Sequence, residues 1–148
     1  MQKTFTSVIV ATLLLLNLNL FGAKPYEWQT YMQNDSIMIE YVYQNCEYLE
    51  QFNSEYVLLK ITNITNQDII VKWEENLWIE NKCINCETIS SENRKQAKIL
   101  AKSAKIGECN KNNSLRIFSK FTEDLEKMPG INSIISLSKF ELVNIEIN

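Results

Sequence analysis

The chain has 148 residues, 15 basic and 18 acidic side chains, four cysteines and no histidine. Without histidine, Ser-His-acid and Cys-His catalysis, the common zinc hydrolase sites and the usual switch near neutral pH are all excluded. Carboxylate pairs, lysine or tyrosine bases and thiol chemistry remain. A mildly acidic chain with scattered lysines argues against nucleic acid as a partner. The length fits one domain with a modest core.

The first two dozen residues carry an address. Lys3 is a short positive region, Val8 to Leu16 are apolar but for Thr12, and Phe21-Gly22-Ala23 lead into Lys24-Pro25. That order is the grammar of a secretory signal peptide, with cleavage expected after Ala23. The apolar run is too short for a membrane span, and Asn17 and Asn19 just beyond it rule out a longer one. Residues 1–23 are therefore read as a signal peptide and 24–148 as one mature domain, secreted or periplasmic. Cleavage removes only Lys3 among the charged residues, leaving 14 basic against 18 acidic, a net charge of −4. No second long apolar segment follows, so the mature chain is expected to carry no transmembrane segment. The richness in Asn, Ile and Lys reads as the coding bias of an AT-rich genome.

The mature chain has a period of two. Glu27 to Met32 reads as a strand turning at Asn34-Asp35 into a second, in which Ile37, Ile39, Tyr41 and Tyr43 share one face. Val57, Leu59 and Ile61 mark the next strand. Thr62 to Gln67 is a polar turn, and Ile69, Val71 and Trp73 alternate beyond it, so the two strands read as a hairpin. Leu77-Trp78-Ile79 continues after a bulge at Glu74-Glu75-Asn76. Ser91 to Lys105 carries a helical face of Ala97, Leu100, Ala101 and Ala104 with a stripe of Lys95, Lys98, Lys102 and Lys105. The same residues also read as a strand over Gln96 to Ala101, a turn at Lys102-Ser103 and a strand ending at Cys109. That reading is preferred because every neighbour is β. Leu115, Ile117 and Phe121 mark a further strand, Thr122 to Met128 a short helical turn stopped by Pro129-Gly130, and Phe140 to Ile147 the last strand. Short strands separated by polar turns predict an all-β antiparallel sandwich.

The run Glu55-Tyr56-Val57-Leu58-Leu59-Lys60-Ile61-Thr62-Asn63, then Val71-Lys72-Trp73, Cys83-Ile84-Asn85-Cys86, Ile106-Gly107-Glu108-Cys109 and Leu115-Arg116-Ile117-Phe118, resembles small exported bacterial proteins. These have an immunoglobulin-like β-sandwich and no assigned activity. The resemblance implies that fold, favours strands over residues 96 to 109 and implies no catalytic residues.

Cys46, Cys83, Cys86 and Cys109 form an even set on an exported chain and read as two disulfides. Three pairings exist; the two favoured join Cys46 and Cys109 each to one member of the Cys83/Cys86 pair. A four-cysteine zinc site and a redox C-x-x-C are the alternatives. Lys82 and Glu87 flank that motif without a clear helix start, and an acid beside Cys86 disfavours a thiolate.

Trp73 continues the face of Ile69 and Val71 and belongs to the core. Trp78 is the better candidate for ligand contact, alongside the tyrosines at 41, 43, 48 and 56. Glu74-Glu75, Glu80 and Glu87 read as a solvated edge, since adjacent strand residues point to opposite faces and spoil a glycosidase pair. The lysine stripe reads as scattered exposed charge once the strand reading is taken. Sequons at Asn34, Asn63 and Asn112 fall in or near turns. The functional expectation is a non-enzymatic interaction or envelope-associated module without cofactor or metal. It would bind protein or glycan through loops around Phe52, Asn63 to Gln67 and Asn110 to Asn113. The alternative is an extracytoplasmic thiol-disulfide oxidoreductase using Cys83 and Cys86, with a helix starting near Cys83.

Overall fold

The computed structural model describes residues 27–47, 53–87, 94–109, 114–122 and 135–148. The signal-peptide reading, the helical turn over 122–128, the start of the 91–105 segment and the loops at Phe52 and 110–113 fall wholly or largely outside them. The described residues form nine strands: β1 Gln29–Gln33, β2 Ile37–Cys46, β3 Ser54–Asn63, β4 Ile69–Ile79, β5 Lys82–Cys83, β6 Arg94–Ile99, β7 Ala104–Ile106, β8 Arg116–Phe121 and β9 Leu137–Ile147. The helical alternative for the lysine-striped segment is not taken. From Arg94 onward it is two strands joined by a turn, and Ala97 and Ile99 are buried.

Two antiparallel sheets share one core. In the first, β2 and β3 pair over their full lengths, β1 flanks β2, and β7 and β8 share the far edge of β3. In the second, β9 runs along one side of β4, while β6 and β5 occupy the other. The odd-numbered residues face the core: Ile37 and Ile39, then Val57, Leu59 and Ile61, then Ile69, Val71 and Trp73, all buried. Trp73 is 1% exposed. Burying an aliphatic or aromatic side chain of this size contributes about 1.5–3 kcal/mol each before entropy is charged against it.

The expected hairpin between β3 and β4 does not form. The two strands lie in different sheets, and the chain crosses from one to the other after Asn63. The next connection, from β6 to β7, crosses back. One side chain holds both crossings. Asn63, 1% exposed, donates from Nδ2 to the carbonyls of Gln67 at 2.7 Å and Leu100 at 3.1 Å. Its Oδ1 accepts from the amide and the hydroxyl of Thr65, both at 2.8 Å. The backbone adds two bonds, Asn63 N to Ser103 O at 2.8 Å and Lys102 N to Thr65 O at 3.1 Å. The groups that a hairpin would pair laterally are satisfied instead by an amide side chain.

The expected bulge at Glu74 to Asn76 also falls elsewhere. β4 is continuous, and its register with β9 shifts twice, between Lys72 and Glu74, where Asn144 of β9 takes φ 52°, and between Trp78 and Ile79. Another bulge, at Tyr31 on β1, turns that ring towards the other sheet. The Tyr31 ring stacks on Phe140 at 5.7 Å. Its hydroxyl accepts from Leu142 N at 2.7 Å and closes one flank of the molecule.

On the opposite flank β7 and β8 act as one edge strand with an interruption. Gly107 N donates to Leu59 O at 2.8 Å, and Leu59 N donates to Leu115 O at 2.9 Å. Residues 107 and 115 thereby serve the same ladder residue. A Cβ on Gly107 would sit 2.2 Å from the Leu115 carbonyl oxygen.

Asn63→Ala should lower the unfolding free energy by about 2–3 kcal/mol in denaturant titration, because several carbonyl and amide groups lose a buried partner. Gly107→Ala should cost about 2 kcal/mol or more, through displacement of the Leu115 carbonyl from Leu59. An unchanged midpoint in either variant would contradict the role given to that residue.

Candidate functional site: the C-x-x-C hairpin

The cysteines pair as Cys46–Cys109 and Cys83–Cys86, not crosswise. The favoured sequence pairing is corrected on geometric grounds. Cys46 ends β2 on the outer face of the first sheet, while Cys83 lies on the edge of the second. With the sulfurs taken two by two, the four-cysteine zinc arrangement is not formed. Cys46–Cys109 spans 63 positions, and Cys46 is 1% exposed. Closing a loop of that size is worth about 4 kcal/mol in the chain-entropy model. Arg116 secures the Cys109 side, its Nη1 donating to the Cys109 carbonyl at 2.6 Å while its guanidinium lies 4.4 Å from the Tyr56 ring centre.

Cys83–Cys86 sits on a hairpin that the sequence did not announce. β4 turns into β5 through Glu80 and Asn81, with φ of 50° and 64°. Two successive positive φ values are the signature of a type I′ turn, usually written with Asn-Gly or Asp-Gly. A Glu-Asn pair gives no such signal, and Glu80 is strained there. Ser138 fastens the turn, its Oγ accepting from Asn81 N at 3.0 Å and donating to Trp78 O at 3.1 Å.

The turn brings two of the sequence-named residues together. Trp78 and Cys83 are direct cross-strand partners, and Lys139 of β9 faces Trp78 on its other side. The Lys139 ammonium lies 4.4 Å from the Trp78 ring centre and 2.6 Å from the Glu141 carboxylate. The indole is thus half-buried with a cation over it.

Asn85, between the two cysteines, holds the tip down. Its Oδ1 accepts from Leu77 N at 2.8 Å and its Nδ2 donates to Glu75 O at 2.7 Å. Ile84 N donates to Leu77 O at 2.9 Å. The tip therefore extends the β4 edge beyond the end of β6. Cys86 and Ile84 are exposed, Ile84 at 54%. Asn85, Ile84 and Lys139 were not read as functional from the sequence. The C-x-x-C itself pointed to the first two, whereas nothing marks a lysine 61 positions from Trp78.

The other candidates scatter. Tyr41 and Tyr31 pack with Phe140 at the first flank, Tyr56 lies with Phe118 on the outer face of the first sheet, and Tyr48 is outside the described residues. They do not join Trp78 in an aromatic platform. Lys98 reaches Asp68 at 3.5 Å and Lys102 Nζ donates to Ile64 O at 2.6 Å. The stripe is dispersed charge, as expected for strands. Asn63 is enclosed within its own hydrogen bonds. Asn34 is exposed, its Oδ1 accepting from Ser36 N and Ile37 N at 2.8 and 2.9 Å.

Glu75 also departs from its expected place. Read as part of a solvated edge, it continues the inward parity of Ile69, Val71 and Trp73 and is 8% exposed. Glu74 points outwards and accepts from Asn144 Nδ2 at 3.0 Å. Desolvation raises the Glu75 pKa, opposed by the Trp73 indole N–H at 3.3 Å and by Lys95. Folding therefore favours the protonated acid, and its stabilising contribution is lost as pH rises through the raised native pKa. Glu75→Gln should melt above the wild type at pH 7, with the difference shrinking as pH falls into the ordinary carboxylate range near the unbound value of 4.5. A constant difference across that window in a pH series of thermal melts would show that Glu75 is not the titrating group.

No family model, no curated protein and no solved structure matches this chain.

Proposed function

We propose that the chain is an exported, immunoglobulin-like β-sandwich acting as a non-enzymatic interaction or envelope-associated module. It contacts a protein partner through the tip of the β4–β5 hairpin. The observation that carries this reading is Ile84: an apolar side chain, 54% exposed, presented between two bonded cysteines and beside the Asn85 latch. Clamping a contact loop in one conformation lowers the entropy lost on binding. A protein partner is favoured over a glycan because the Trp78 ring already carries the Lys139 ammonium. Export is supported by the signal-peptide pattern of residues 1–23 and by the two disulfides, which persist in oxidising compartments.

A second reading, thiol-disulfide exchange at Cys83 and Cys86, is favoured by the exposure of Cys86. The motif lies on a strand and turn, so no helix N-terminus lowers a thiol pKa there.

The contact reading is tested with a photo-crosslinking residue at position 84 in the native host, with position 98 on β6 as control. A discrete adduct at 84 that is weak or lacking at 98, and that is outcompeted by wild-type protein but not by Ile84→Asp, is the expected result. Equal adducts at both positions, or none at either, would sink it.

A further inference from the structure

The two disulfides differ in kind. Cys46–Cys109 closes 63 positions with one sulfur-bearing residue fully enclosed, whereas Cys83–Cys86 closes three positions at an exposed tip. Breaking the second bond removes little chain constraint, because the hairpin keeps its own ladder at Trp78–Cys83 and Ile79–Lys82 and the Asn85 latch.

The two sulfurs of the exposed bond also differ. Cys86 is exposed, and Cys83 is partly covered against β4. The backbone N–H of Cys86 donates to Cys83 Sγ at 3.1 Å. A donor aimed at Cys83 Sγ stabilises negative charge there, while Glu87 beside Cys86 opposes a thiolate at the second position. The Asn85 Oδ1, 3.8 Å from Cys83 Sγ, is placed to accept a hydrogen bond from the Cys83 thiol once the departed thiolate has taken a proton from solvent.

We infer that Cys83–Cys86 is an exchange site for a dithiol carrier, with Cys86 as the sulfur attacked and Cys83 as the leaving thiolate. This rests on the exchange reading above. A carrier thiolate attacks Cys86 Sγ; the Cys83–Cys86 bond breaks and its electron pair moves to Cys83 Sγ. The second carrier thiolate then attacks the carrier sulfur of the mixed disulfide, closes the carrier's own disulfide and expels the Cys86 thiolate. Two electrons and two protons pass from carrier to protein, and exchange is faster with a low-pKa leaving group. The reduced tip keeps its strand pairing but loses the covalent link across Ile84.

The test uses the folded, fully oxidised protein. Dithiothreitol is the first probe, with timed acid quenching, alkylation and peptide mapping; glutathione, a monothiol, is the second and traps the mixed disulfide. The expected result is reduction of Cys83–Cys86 about tenfold or more faster than Cys46–Cys109, with unchanged circular dichroism. Glutathione should be found on Cys86 with Cys83 alkylated. Glutathione on Cys83 instead would overturn the assigned direction while leaving the bond exchangeable. Reduction of both bonds at one rate, or of neither before unfolding, would overturn the exchange reading itself. As an independent check, the free Cys83 thiol of Cys86→Ser should react with iodoacetamide at lower pH than the free Cys86 thiol of Cys83→Ser. The reverse order would contradict the leaving-group assignment.

Discussion

The fold depends on one buried amide. Asn63 ends β3 where the chain leaves the first sheet, and its side chain also reaches the turn by which the chain returns from β6 to β7. Two layers that share a core need connections that cross between them. Each crossing leaves backbone groups without a lateral strand to pair with. A side chain carrying two donors and an acceptor on a short stem can serve both crossings at once, and Asn63 is positioned to do so. The enclosed amide also separates this sequon from the exposed one at Asn34: Asn63 is a structural bracket.

The flanks are closed by different means. On one side the β1 bulge sends Tyr31 across to the Leu142 backbone, which occupies edge groups of β9 that would otherwise be open to another strand. On the other, Gly107 and Leu115 share the backbone of Leu59, so β7 and β8 line one edge although nine residues separate the two strands. The Cys46–Cys109 bond draws that departure against the outer face of the first sheet. With both flanks and the core committed, the hairpin beyond Ile79 stands apart from the elements that hold the sheets together.

Much of the inward face was legible in the sequence. The odd-numbered alternation of Ile37 and Ile39, of Val57 to Ile61 and of Ile69 to Trp73 corresponds to the buried set, and Gln96 to Ala101 was readable as a strand because its neighbours were, although β6 ends at Ile99. Alternation says which face of a strand turns inwards but not which strand lies beside it. That is why β3 and β4 read as a hairpin although they lie in different sheets. The cysteine pairing failed for the same reason, being a question of lateral position. In the candidate site, Trp78 and the C-x-x-C were nameable from residue type. Their adjacency was hidden by a turn built without glycine, and Lys139 comes from a strand whose pairing no local pattern reveals. Glu75 was misread through its charge, although its parity with Trp73 pointed inwards.

The short spacing of Cys83 and Cys86 also bears on the order in which the bonds form. As the chain emerges from its N-terminus, Cys46 meets Cys83 and Cys86 before Cys109 exists to pair with. Cys83 and Cys86 lie three positions apart, so each has the other as its nearest partner along the chain. Two of the four thiols are then withdrawn from competition, and Cys46 is left to wait for Cys109. The local bond thereby leaves the long one without a competing partner among the four cysteines.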